Sequence, residues 1–194
     1  MLNQAIAFVV ETVFDVFILS ALVRFWMQVL KAPARNPLAQ FTMALTDWAV
    51  KPLRRVLPGF FKLDLASLAV AWAGEFALLA ILSLLSGVDI GTGAVLSTLL
   101  FLALVKLVRL TVYIIMGAVL LQALLSWVNP YHPVAPFFDA LTRPFLRPFQ
   151  KAVPPIGGVD ITPVLVLIAC QLVLMLPVTF LETQAVKFVG RFAL

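Results

Sequence analysis

Four stretches of this chain stay apolar for long enough to leave water. Ile161 to Leu181 gives 21 residues without a charge, Leu65 to Leu85 gives 21 with only Glu75, and Leu110 to Val128 gives 19 with none. The N-terminal stretch, to Leu30, carries Glu11, Asp15 and Arg24. A helix needs roughly 20 apolar residues to cross hydrocarbon, and there the backbone must satisfy its own hydrogen bonds. The pattern predicts an all-α, polytopic helical membrane protein with about four transmembrane helices, near 4–30, 65–86, 107–128 and 161–181. Residues 91–105 are apolar but short. They fit an interfacial or re-entrant helix, a fifth span, or the start of one long tilted helix. The tail from Leu181 onward reads as a short surface helix.

Between the spans the pattern changes to helical spacing with charge. Leu38, Phe41, Leu45, Trp48 and Ala49 share one face of the first connection; Val134, Phe137, Phe138, Leu141 and Phe145 share one of the second. Aromatic faces beside bases suit helices lying in the headgroup zone. Pro144 and Pro148 should stop regular helix in the second connection, since each removes an amide donor. The bases themselves are unevenly placed. Nine of fourteen lie in 31–63 and 129–159: Lys31, Arg35, Lys51, Arg54, Arg55, Lys62, Arg143, Arg147 and Lys151. Short loops rich in Lys and Arg stay cytoplasmic, so both connections are expected inside a bacterial inner membrane and both termini outside. The first span then reads as an uncleaved signal anchor, because the first fourteen residues hold no Lys or Arg.

The two connections are copies. Shifting the chain by 96 residues lays "PLAQFTMALTDWAVKPLRRVLPGFFKLD" (37–64) on "PVAPFFDALTRPFLRPFQKAVPPIGGVD" (133–160), with nine of 28 positions identical and no gap. Upstream, "ALVRFW" (21–26) and "ALLSWV" (123–128) correspond if the first connection is six residues longer. Each unit is span, basic loop, span: 1–90 and 91–194. Two spans per unit keep both copies in one orientation, a parallel rather than an inverted repeat. At each connection's end, Pro58 and Asp64 answer Pro154 and Asp160. Gly157 and Gly158 permit a sharp turn in the second copy. Asp64 and Asp160 are placed to cap the spans that follow, with Pro163 in the first turn of the last.

The run "SWV…P…F…LTRPFLRPFQKAVPPIGGVDITP" resembles the YggT family, also called YlmG. "VRFWMQ" with "KPLRRVLP" is similar to the first half of its two-copy proteobacterial form. "PGFFKLDLAS" departs from the second copy's "PPIGGVDITP" and lacks its glycine pair. The resemblance implies a bacterial membrane protein often encoded beside division genes and linked to osmotic tolerance. For plastid relatives it implies roles in cytochrome b6f assembly and in nucleoid or membrane organisation. It carries no catalytic residues over.

Ionisable groups inside spans are costly and usually paired or functional. Glu11 and Asp15, four apart, share a helix face. Lys106 and Arg109, three apart, are expected at the outer beginning of the third span, at a similar depth. That suggests acid–base pairing between the two units, so exchanging these charges should rescue the single reversals. Arg24 belongs to the inner half of the first span. Glu75, halfway along the second, is the strongest candidate for a proton or cation site, against a neutral or paired glutamate. Gln28, Gln122 and Gln171 offer hydrogen bonds between helices.

Composition narrows the chemistry. The chain is 63% hydrophobic and 12% charged with net charge +5; the bases' location points to a membrane surface rather than to nucleic acid. One cysteine excludes an intramolecular disulfide, and the single histidine, His132, builds no metal or bis-histidine haem site. No phosphate loop, nucleophile elbow or zincin pattern occurs. A non-enzymatic reading without cofactors follows. Two functions are expected to compete. One is a scaffold or assembly factor for division or membrane complexes, acting through Lys51, Arg54, Arg55, Arg143, Arg147 and Lys151 on anionic lipid headgroups and on membrane or cytoplasmic protein partners. The other is a small channel component in osmotic or potassium balance, for which a homo-oligomer could supply a pore.

Overall fold

The structure is a computed structural model that describes residues 2–57, 64–153 and 160–190. Pro58, Lys62, Pro154, Gly157 and Gly158, named above as turn or basic residues, lie outside them. The described residues form α1 (Leu2–Val29), α2 (Pro37–Val56), α3 (Leu65–Leu85), α4 (Gly93–Val128), α5 (Ala135–Ala152), α6 (Thr162–Val173) and α7 (Thr179–Gly190), with a π-helical turn at Leu174–Val178. Four helical segments among them are long and apolar enough to cross a membrane: Leu2–Val29, Leu65–Leu85, Gly93–Val128 and Thr162–Phe188. This is a multi-pass, all-helical membrane protein.

Local chemistry places most helix ends. Asn36 caps α2 by accepting from the Ala39 amide at 2.9 Å, with Pro37 opening the first turn. Thr92 caps α4 in the same way. α1 and α3 close alike: the amide of Ala32 bonds the Met27 carbonyl, and that of Val88 bonds the Ser83 carbonyl, both at 2.9 Å. These six-to-one bonds need a left-handed residue just before the donor. Gly87 supplies it in α3 (φ 78°), whereas Lys31 supplies it in α1 (φ 53°).

Two sequence expectations are corrected, and the alternatives left open for residues 91–105 reduce to one, the start of a single long helix. Residues 91–105 form no separate element. They open a continuous 36-residue α4, about 54 Å at 1.5 Å per residue against a hydrocarbon core of about 30 Å. Such a helix must tilt or project beyond the bilayer. The tail is not a separate surface helix either. α7 continues the last span and packs on α4, burying Ala185 among Val95, Leu99, Leu102 and Ala103. Pro177, which cannot donate to the carbonyl four residues back, sits in the π turn between them. Finally, Pro144 and Pro148 do not stop α5, which runs through both. Both prolines are exposed, while Phe137, Phe138, Leu141 and Leu146 are buried along the same helix. That burial outweighs two missing amide bonds.

α1 packs along α3, α4 along α6 and α7, and α3 against α4. α2 rests on α1 and α3, as α5 rests on α4 and α6. α1 and α3 approach closely at Gly74, where a Cβ would stand 3.1 Å from Ile18 Cγ1. The N-terminal parts of α2 and α5 meet in one cluster: Ala39 with Phe137, Phe138 and Leu141, around Met27 and Ala118.

Candidate functional site

The apolar stripe expected on α2 does not face the bundle. Phe41 and Trp48 are 59% and 72% exposed, and the packed side is Ala39, Thr42, Thr46 and Val50. The two stripes lie roughly a third of a turn apart at 3.6 residues per turn. In α5 the corresponding aromatics turn inward, so its apolar face is not free to enter lipid. Only α2 keeps an outward aromatic face.

Each connection is pinned to its spans by polar contacts at corresponding positions. Arg24, 7% exposed, donates from Nη1 to Thr46 Oγ1 at 2.9 Å and to Asp47 Oδ1 at 2.8 Å. Lys51 reaches the other Asp47 oxygen at 2.7 Å. That lysine bond, with Arg24 adding to it against the opposing effect of burial, holds the Asp47 carboxyl below its usual range. In the second half Gln122 stands where Arg24 stood: it bonds the Thr142 hydroxyl and reaches Asp139 Oδ1 at 3.4 Å. Thr46 and Thr142 are 96 residues apart, and both are fully buried. Arg24 and Gln122 are 98 apart, so the upstream correspondence read from "ALVRFW" is displaced by about one turn.

The two aspartates repeat the pattern further along. Asp64 is the N-cap of α3, accepting from the Ser67 amide at 3.3 Å and hydroxyl at 2.5 Å. Arg54 closes on it with an ion pair and also reaches Gln28 Oε1 at 3.3 Å. Burial alone would push the Asp64 carboxyl up. The bonds from Arg54 and Ser67 outweigh it and hold the group below its ordinary 3.8. Asp160 stands one residue before the N-cap of α6, not at it. It accepts from the Thr162 amide at 2.8 Å and hydroxyl at 2.6 Å. Its cross-link to α5 comes from Gln150 Nε2 at 3.1 Å, the position that answers Arg54. Burial raises the Asp160 carboxyl, and these three bonds bring it below its usual value.

A pH dependence follows from Asp64. A carboxyl whose folded pKa is depressed contributes stability fully present above its unfolded value and lost as pH falls through the folded one. Thermal midpoints in detergent should therefore be insensitive to this group near neutrality and decline below about pH 4. Asp64→Asn should flatten that acid limb and lower the neutral-pH midpoint; an unchanged acid limb would contradict the assignment.

The bases divide into two sets. Lys51, Arg54 and Arg143 make ion pairs, the last with Asp139 at 3.4 Å. Among the described residues no ion pair engages Arg55, Arg147 or Lys151, and all three are exposed.

Inside the spans the expected partners are exchanged. Lys106 and Arg109 do not meet Glu11 and Asp15, because α1 packs along α3 and touches α4 at only a few positions such as Trp26 Nε1 to Thr111 Oγ1, 3.2 Å. Glu11 and Asp15 are exposed on α1. Lys106 Nζ lies 3.6 Å from Glu75 Oε1, and Arg109 Nη2 lies 2.5 Å from Glu182 Oε2. Nor do the two bases begin a helix: Lys106 is about 20 Å into α4 at 1.5 Å per residue. α4 thus carries two adjacent cations, one clamping α3 and the other α7. Glu182 was not picked out by sequence reasoning, because it lies past the uncharged run in what read as a surface tail.

The model of the CCB3/YggT family matches this chain twice, over residues 3–85 and 101–181. The chain belongs to the CCB3/YggT family. A protein of Pseudomonas aeruginosa is 34% identical over 185 residues, covering 94% of this chain and 93% of that protein. A protein of the proC 3′ region of Vibrio alginolyticus is 30% identical over 169 residues, 87% of this chain and 90% of the other. YggT of Escherichia coli K12 is 28% identical over 174 residues, 89% and 88% of the two chains. All three are described as uncharacterised. No solved structure matches. In this CCB3/YggT protein the double match contains Asp64 and Asp160, Thr46 and Thr142, and the residues that pin α2 and α5.

Proposed function

We propose that this CCB3/YggT protein is a scaffold or assembly factor of the bacterial inner membrane. It holds two basic helices, α2 and α5, against the cytoplasmic leaflet, where they engage anionic headgroups and partners in division or membrane-complex biogenesis. One observation carries the reading. The bases of the α4 span pair with acids on neighbouring helices, whereas Arg55, Arg147 and Lys151 project from the connections. The outward Phe41 and Trp48 give α2 an aromatic face at the same end. Parallel repeats would set the two connections on one side, where short basic loops remain.

The rival reading, a channel component in potassium or osmotic balance, needs Glu75 to face an ion path. Its carboxylate sits against Lys106 and is 5% exposed. The test is the triple change Arg55→Ala, Arg147→Ala, Lys151→Ala. Exposed side chains of this kind affect stability by about 0.5 kcal/mol or less, so insertion should persist. Each base adds about 1 kcal/mol to contact with anionic lipid, so co-purifying anionic lipid should fall on the order of 100-fold, together with crosslinked neighbours. Unchanged neighbours and lipid, or ion flux in liposomes that Glu75→Gln abolishes, would overturn the scaffold.

A further inference from the structure

The two halves differ where the aspartates sit. In the first, Arg54 covers Asp64 (2% exposed), and Val50 and Ala71 are fully buried in the core beneath it. In the second, the corresponding positions are Gln150, Asp160, Leu146 and Leu167, 96 residues on. They line an open groove of about 320 Å³ between α4, α5 and α6, within the size range of small-ligand sites. Replacing Arg54 by Gln150 leaves Asp160 without an ion pair among the described residues, and its carboxylate is exposed.

The groove is graded in polarity. Asp160, Gln150 and Ser126 stand at the connection end, beside Trp127; Leu120 and Leu167 lie deeper. Seven residues separate Asp160 from Leu167, and seven separate Trp127 from Leu120. At 1.5 Å each, that is a slot about 10 Å long, running from the headgroup zone into the hydrocarbon. A phospholipid has this same gradient and direction.

We propose that this groove binds a phospholipid whose headgroup ends in a primary ammonium, as in phosphatidylethanolamine. A primary ammonium carries three N–H donors and no acceptor. The mouth offers three acceptors: the Asp160 carboxylate, Gln150 Oε1 (its Nε2 already donates to Asp160) and the Ser126 hydroxyl oxygen, whose own proton goes to the Ala123 carbonyl. One acyl chain follows Leu124, Leu120 and Leu167. Arg147 and Lys151, on the positions flanking Gln150 along α5, attract the phosphate. A choline headgroup is cationic but has no N–H, so it forfeits the hydrogen bonds and keeps only diffuse attraction.

Native mass spectrometry of the whole protein, exchanged into mixed phosphatidylethanolamine, phosphatidylcholine and phosphatidylglycerol vesicles, tests this. Wild type should retain the ethanolamine lipid over the choline lipid by roughly tenfold, the scale of a charge-assisted hydrogen bond. Gln150→Arg rebuilds the first half's ion pair and leaves the Thr162 bonds of Asp160 in place, so it should close the mouth and remove the preference. Asp160→Asn should do the same, and Asp64→Asn should not. Equal retention of the ethanolamine and choline lipids by wild type, or an ethanolamine preference that survives Gln150→Arg in folded protein, would each overturn the assignment. The scaffold reading is untouched by that failure, since it concerns Arg55, Arg147 and Lys151 with anionic lipid.

Discussion

Arg109→Leu is expected to destabilise the protein by about 1–3 kcal/mol, the penalty for leaving Glu182 unpaired in a half-buried site. Its guanidinium lies 2.5 Å from Glu182, whose side chain is only 17% exposed, and this pair joins α7 to α4. The pair is also imperfect: Arg109 Nε and Glu182 Oε1 are buried without a hydrogen-bond partner. Desolvation is then only partly compensated, and an apolar pair of similar volume should serve as well or better. Arg109→Leu with Glu182→Leu should therefore recover the wild-type midpoint or exceed it in thermal unfolding in detergent, while either single change falls well below. The charge exchange that rescues should be Arg109 with Glu182, rather than Lys106 and Arg109 with Glu11 and Asp15. A double variant as weak as its singles would show that the pair does not hold α7.

Gly74→Leu should cost about 1–3 kcal/mol or more, the range for overpacking a closed core. A Cβ there meets Ile18 Cγ1 at 3.1 Å and Phe17 Cδ1 at 3.7 Å, and Ile18 is fully buried. Small residues let membrane helices approach closely, and at this contact α1 meets α3. Gly74→Ala is a different experiment. Crowding by a few tenths of an ångström is opposed by about 1 kcal/mol of helix propensity, so the change should be close to neutral. Ile18→Ala combined with Gly74→Leu should recover part of the loss, giving a measurable coupling in a double-mutant cycle. If Gly74→Leu left the unfolding midpoint where it was, α1 and α3 would not be in close contact at that position.

Much of the fold was legible because its signals are local. Apolar runs of bilayer length and Asp64 before Leu65 depend on neighbours in sequence, and α3 begins where Asp64 says. The failures were local rules overruled from a distance. Pro144 and Pro148 each removed an amide bond, but the burial of Phe137, Phe138, Leu141 and Leu146 keeps α5 whole. The aromatic stripe of α2 was correctly a stripe. Periodicity says that residues share a face and is silent on what that face meets; Phe41 and Trp48 stay largely exposed, Trp48 touching only the edge of the bundle at Phe17. The site was the least legible part. Which cation serves which acid depends on helix apposition, and Lys106 chose Glu75 because α3 rather than α1 lies beside that part of α4.

By itself, then, the chain's order of residues determined that this is a helical membrane protein, that it has four spans and roughly where they lie, that its two halves are related, and that Asp64 starts a helix. Those properties follow from transfer energies and from hydrogen bonds within a few residues. Only the folded arrangement decided that Arg109 holds Glu182, that α2 turns its aromatics outward, and that one aspartate is sealed by arginine while its counterpart opens on a groove. Each of these is a contact between segments distant in sequence, and its energy exists only once packing has brought the two surfaces together.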